Sequence, residues 1–172
     1  MLPTRSLLPL SLLTATLALG WTQEGGGNVT FDAKGPAGFK IHGGSDKVAV
    51  ADDGKSFKIT VKLEEVDTDN GLRNRHMLED TQAKDFPLVT LSVPTASLKE
   101  SGGPIEATGT LELHGQKKDV KFTYTPQCTG NTCEIDGSAP INLGDFGIKI
   151  RSYLGVTVKP DITVGAKFKV KK

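Results

Sequence analysis

The sequence predicts an all-β protein: a single antiparallel sheet of about eight strands, folded on itself, with one short helical segment. Three observations predict it. Apolar and polar residues alternate at period two along most of the chain, the mark of strands with one dry and one wet face. Clusters of Gly, Pro, Asn and Asp separate these runs as turns. Only one stretch, near residues 69–83, has helical spacing.

Residues 1–20 read MLPTRSLLPLSLLTATLALG. A short start with Arg5, an apolar run from Leu7 to Leu19 and a small-residue end at Ala18-Leu19-Gly20 form the layout of a secretory leader, cut before Trp21. The run falls short of the ~20 residues that span a membrane, so no stable anchor is expected. The protein is expected to be exported, periplasmic or secreted. Residues 21–27 are glycine-rich and expected as a flexible start. Residues 28–172 form one domain with no internal repeat.

Along that domain Val29, Phe31 and Ala33 alternate with polar residues. Phe39–Ile41 and Val48–Val50 follow as short strands. Asp52-Asp53-Gly54-Lys55 lacks the ligand ladder of a calcium loop and reads as a hairpin turn. Phe57, Ile59, Val61 and Leu63 make the next strand. Asp69 or Asn70 caps a helix running through Leu72, His76 and Leu78 toward Ala83, with Arg75 and Glu79 paired at i,i+4. Phe86-Pro87 restarts the sheet, and Val89, Leu91 and Val93 alternate. Ile105, Ala107, Leu111 and Leu113 form one long strand, then Gln116-Lys117-Lys118-Asp119 reads as a polar turn. Val120, Phe122 and Tyr124 lead into Cys128 and Cys133, which bracket Thr-Gly-Asn-Thr. A hairpin closed at Gly130-Asn131 sets those two Cys opposite each other as a structural disulfide; the C-x-x-C spacing of a redox pair is absent. Residues 133–143 and the run Ile162, Val164, Ala166, Phe168 and Val170 complete the sheet. The basic end, residues 167–172, reads as the guard of an edge strand. Gly109, Gly137 and Gly165 interrupt strands, where a bulge or sharp bend is the usual use. Such a sheet hides its dry face as a sandwich or a closed barrel.

The full chain carries 21 basic and 20 acidic residues. Without residues 1–20 it carries 20 of each. A neutral domain has no long-range field to gather a polyanion. Nucleic acid and anionic membrane surfaces are therefore excluded as main partners, leaving neutral or amphiphilic small molecules, or another protein.

Five stretches in order, FDAKGPAGF (31–39), GLRNRHM (71–77), DFP (85–87), GTLELHG (109–115) and LGDFGIKIRSYLGVTVK (143–159), together resemble the YceI-like family of exported polyisoprenoid-binding proteins. The resemblance covers nearly all of residues 28–172. It implies a lipocalin-like β-barrel around an apolar tunnel that carries or sequesters an isoprenoid, a quinone-like molecule or another fatty amphiphile. The tunnel candidates are Phe31, Phe57, Ile59, Leu91, Leu111, Phe122, Tyr124, Phe146, Val164 and Phe168. Periodicity alone fits equally an ordinary filled core, and then the protein is an exported interaction module with no lipid. Arg73 and His76 match family positions and would form a polar mouth for the head group. Arg75 has Glu79 as a helix partner instead. The sequence departs from the family's R-D-x-H, which is here Arg73-Asn74-Arg75-His76, and its helical segment lacks the aromatics common in relatives.

An enzyme is not expected. His42, His76 and His114 lie in different elements with no metal-ligand spacing, so neither a metal nor another cofactor is expected. No G-x-S-x-G nucleophile elbow is present. A homodimer is compatible with the sequence and unspecified by it.

Overall fold

Eight strands close into a single antiparallel barrel. The computed structural model describes residues 20–35, 38–150, 152–153 and 156–172; residues 1–19 of the expected leader, Pro36 and Ala37 of the first family stretch, and Arg151, Leu154 and Gly155 of the last lie outside them. The elements run β1 (Thr22–Lys34), β2 (Lys40–Ser45), β3 (Val48–Asp52), β4 (Ser56–Lys62), α1 (Gly71–Asp80), β5 (Leu88–Pro94), β6 (Ile105–Leu113), β7 (Gln116–Thr129), β8 (Thr132–Asn142), β9 (Ser152–Tyr153), β10 (Val156–Thr157) and β11 (Asp161–Lys171). The circuit is β1-β11-β8-β7-β6-β5-β4-β3 and back to β1, with β2 lying along β1 and β9–β10 forming a separate pair. Closure removes the exposed edges that an open sheet would present.

The residues expected as a flexible start instead begin β1. Thr22 pairs with Lys171 and Gln23 with Val170, after which the register shifts before Gly27 meets Phe168. Glu24, Gly25 and Gly26 make that bulge, and Gly25 sits at φ 74°, where glycine has no steric penalty. Between β1 and β3 the ladder is almost absent, with Thr22 opposite Ala51 only. The Gln23 side chain replaces it: Nε2 donates to the Val48 carbonyl (2.9 Å) and Oε1 accepts from the Val50 amide (2.8 Å). A side-chain amide presents the same donor and acceptor as a peptide group. Gln23→Leu should leave both β3 groups unpaired, cost about 2 kcal/mol and lower the melting temperature by roughly 4–8 °C, as read by a thermal circular-dichroism melt.

Two turns show how local sequence fixes register. His114 and Gly115, at φ 53° and 69°, form the two-residue β6–β7 loop, with Leu113 facing Gln116. Both central residues at positive φ match the twist of a hairpin. The turn therefore lies two residues before the expected one, and Gln116–Asp119 belong to β7. At the β7–β8 hairpin Cys128 pairs with Cys133, and their sulfurs are bonded across a sequence separation of 5. So small a loop stabilises by about 2 kcal/mol. Reduction should lower the melting point by roughly 4–8 °C without unfolding the protein at 25 °C.

The strand glycines serve close approach. Gly109 and Gly137 sit in unbroken registers. A Cβ on Gly109 would lie 3.0 Å from Leu91 and Val93, and one on Gly137 would lie 3.3 Å from the Tyr124 Cβ. β11 is paired on both sides, so its lysines guard no edge. Lys167 Nζ sits 2.8 Å from Asp136, Lys169 pairs with Glu134 and Lys172 with Glu100. The Asp136 hydrogen bond and charge hold the Lys167 ammonium above its usual pKa.

The inward residues form two clusters. At the end with the disulfide hairpin, Trp21, Val48, Val50, Phe57, Val61, Cys133, Phe168 and Val170 pack together. At the end with α1, Leu111, Leu113, Ile141, Phe146 and Ile148 do so.

Candidate functional site

Between the two clusters the barrel holds a cavity of about 120 Å³, open toward the disulfide end. Period-two alternation builds it: each strand sends every second side chain inward. Phe57 and Ile59 come from β4, Leu91 and Val93 from β5, Phe122, Tyr124 and Pro126 from β7. Cys133, Ile135 and Ala139 come from β8, and Val164, Ala166, Phe168 and Val170 from β11. Trp21 and Leu98 flank the mouth at the disulfide end, with Lys99 and Glu100 at the rim. The wall is almost wholly apolar. The Tyr124 hydroxyl is occupied, accepting from the Lys99 amide at 2.7 Å and donating to the Lys99 carbonyl at 3.3 Å. This pins the segment that follows β5 across the rim.

Seven of the ten tunnel candidates line this space: Phe57, Ile59, Leu91, Phe122, Tyr124, Val164 and Phe168. Three do not. Phe31 faces inward opposite Val164, but its ring lies over Gly43, where a Cβ would sit 2.6 Å from it. Leu111 and Phe146 belong to the packed cluster at the helix end. Phe146 is carried by no strand. It ends a 3-10 turn, Leu143–Phe146, capped by the Asn142 side chain on the Gly144 amide and closed by Gly147 at φ 72°. That turn drops the ring, 2% exposed, into the barrel end as a plug. His114 holds it there, its Nδ1–H donating to the Phe146 carbonyl at 2.8 Å.

Alternation foretold most of the wall but left six of its apolar residues unnamed: Trp21, Leu98, Pro126, Cys133, Ile135 and Ala139. Trp21 was hidden in a glycine-rich stretch. Leu98 lies outside any strand, Cys133 and Ala139 are sulfur-bearing or small and carry a weak hydrophobic signal, and Pro126 and Ile135 flank the disulfide hairpin, where no alternation was read.

Arg73 and His76 stand on α1, at the opposite end from the open rim, and neither lines the cavity. The helix begins where Asn70 accepts from the Arg73 amide (2.9 Å). The Arg73 guanidinium turns back onto Thr68, with Nε 3.0 Å from Oγ1 and Nη2 on the carbonyl oxygen. Asn74, where the family pattern has Asp, is the hub of the same loop. It donates to Asp67 Oδ1 (2.7 Å) and accepts from the Thr68 amide (2.9 Å) and hydroxyl (2.6 Å). The Asn74 amide, with the Asp69 backbone N–H, holds the Asp67 carboxyl below its usual pKa. Asn74→Asp should set two carboxylates face to face. Like charges raise a carboxyl pKa, so ionisation then opposes folding and the penalty fades as pH falls. This variant should melt several degrees below the native protein at pH 7, with the gap narrowing by pH 4.

The histidines remain apart. His42 Nδ1 contacts Asp32 on the outside of the barrel. His114 packs edge-on against Phe86, ring centroids 5.4 Å apart. Among the described residues no helix is long and apolar enough to cross a membrane.

The sequence matches the YceI-like domain over residues 20–170. No curated protein matches it. A polyisoprenoid-binding domain from Saccharophagus degradans, implicated in plant cell wall breakdown, superposes with a TM-score of 0.69 at 12% identity, over 88% of this chain and 97% of that one. BcnA of Burkholderia cenocepacia gives 0.69 at 20% identity, over 83% and 95%. The Campylobacter jejuni YceI protein gives 0.52 at 16% identity, over 99% and 93%. At these identities the likeness is one of fold.

Proposed function

The chain belongs to the YceI-like family, and from that premise we propose that it is an exported binding protein which carries or sequesters an isoprenoid or other long-chain apolar molecule. The observation that carries this is the void itself: a dry-walled cavity of about 120 Å³ in the barrel, where an ordinary core would be filled. The polyisoprenoid-binding domain with the same fold supports the ligand class. No reaction is part of this proposal.

Magnitudes bound the guest. An apolar cavity of ~150 Å³ stays dry and accepts a molecule the size of benzene. The space here therefore takes a segment of about six carbons, worth roughly 5 kcal/mol at ~0.8 kcal/mol per methylene. Micromolar binding needs about 8 kcal/mol net. A chain of ten or more carbons must then extend past the rim along Trp21, Leu98 and Pro126, or press the wall outward. A guest reaches Arg73 and His76 only by displacing the Leu111–Phe146 cluster. A quinone ring or prenyl chain fits the wall equally well, since neither needs a charged anchor there.

The test is organic extraction of protein purified from its native host, followed by mass spectrometry. A long-chain compound in near-stoichiometric amount is expected. Repeated recovery of none, together with no saturable uptake of a fluorescent prenyl probe, overturns the proposal.

A further inference from the structure

We infer that the Gly20–Trp21 bond is a processing junction, and that its cleavage turns the Trp21 nitrogen into an α-ammonium held by Asp52 as part of the cavity wall. The inference rests on the export reading above. In the intact chain the Trp21 backbone N–H already donates to Asp52 Oδ2 at 2.9 Å. Asp52 is a fixed acceptor: its other oxygen takes the Thr95 hydroxyl (2.6 Å) and the Gly54 amide (2.9 Å). Hydrolysis adds one water across the amide. The C–N bond breaks, Gly20 leaves as a carboxylate, and the nitrogen gains protons to become an ammonium at pH 7. A neutral amide hydrogen bond thereby becomes a charge-assisted one, about twice as strong.

Two further observations support this junction. The chain before Trp21 runs so close to β3 that a Cβ on residue 20 would lie 2.5 Å from the Asp52 carbonyl oxygen and 2.8 Å from its Cγ. Only glycine fits there, and a small residue is also what a leader peptidase accepts before the bond it cuts. Trp21 itself is clamped from above. Lys172 Nζ sits 4.8 Å from its ring centroid, and Glu100 binds that ammonium. Trp21 is 9% exposed and lines the disulfide end of the cavity. The new terminus is therefore anchored at both its nitrogen and its ring, and cleavage strengthens the hold on a wall residue that already lines the cavity in the intact chain.

The test expresses the full chain in a host that exports it. Intact mass should show a protein starting at Trp21; a different start overturns the junction. Acylation of the α-amine by an N-hydroxysuccinimide ester at pH 7 should then be about tenfold slower in the native protein than in Asp52→Asn, the factor set by one pKa unit. Asp53→Asn, altered in the adjoining turn, should react like the native protein. Equal rates for native and Asp52→Asn with a Trp21 start overturn the ion pair and leave export standing. A retained leader overturns both. Should Asp52→Asn not accumulate folded, the native protein is melted before and after α-acetylation: a fall of several degrees is expected, and none overturns the pair.

Discussion

Ala139→Phe should fold and lose at least tenfold in affinity for a fluorescent prenyl probe. Ala139 pairs with Val164 on β11 and lines the cavity beside the helix-end cluster. A phenyl ring built there is about the size of the guest that a ~150 Å³ cavity admits, so it occupies most of the 120 Å³ present. Overpacking in a full core typically costs ~1–3 kcal/mol; here a void receives the ring and the penalty should fall at the low end. Equilibrium titration with the probe, alongside a thermal melt, separates the two effects. Unchanged affinity in a folded variant would mean that the guest binds elsewhere. An arginine at Leu111 makes a poorer blocker, because that side chain is already packed and a buried charge would unfold the cluster.

Phe146→Ala should have the opposite effect on ligand range and a large effect on stability. The ring is 2% exposed among Leu111, Leu113, Ile141 and Ile148. Removing a buried Phe costs about 3–5 kcal/mol, a fall of roughly 6–20 °C in a chain of this length. It also unplugs the helix end and joins its space to the cavity. Longer prenyl alcohols should gain affinity relative to short ones, as measured by competition with the same probe. A variant that loses stability with no change in chain-length preference would show that the two spaces stay separate.

Much of this was legible beforehand because alternation is a local property. Phe57, Ile59, Leu91, Phe122, Val164 and Phe168 each face inward for the reason that a strand's side chains repeat every two residues. The Asp52–Lys55 turn is equally local: Asp53 Oδ1 accepts from the Lys55 and Ser56 amides (2.9 and 2.7 Å), which keeps its carboxyl below the usual pKa. The Asn70 cap and the Cys128–Cys133 hairpin are also set by neighbours in sequence. His114-Gly115 was missed as a turn because its signal, two residues able to take positive φ, lay inside a longer apolar–polar rhythm.

The sequence by itself determined the antiparallel strands, most of the inward set and the family. Each follows from side-chain period, turn chemistry or motif order, none of which needs distant contacts. Only the tertiary structure decided which inward residues meet and which surround a void, because that depends on elements far apart in the chain. Gln23 closes β1 onto β3 from inside a glycine-rich stretch. Trp21 is held by Asp52 and Lys172, 31 and 151 residues away. Phe146 arrives from a turn and stoppers one end, and so the open end of the barrel is the one opposite Arg73 and His76.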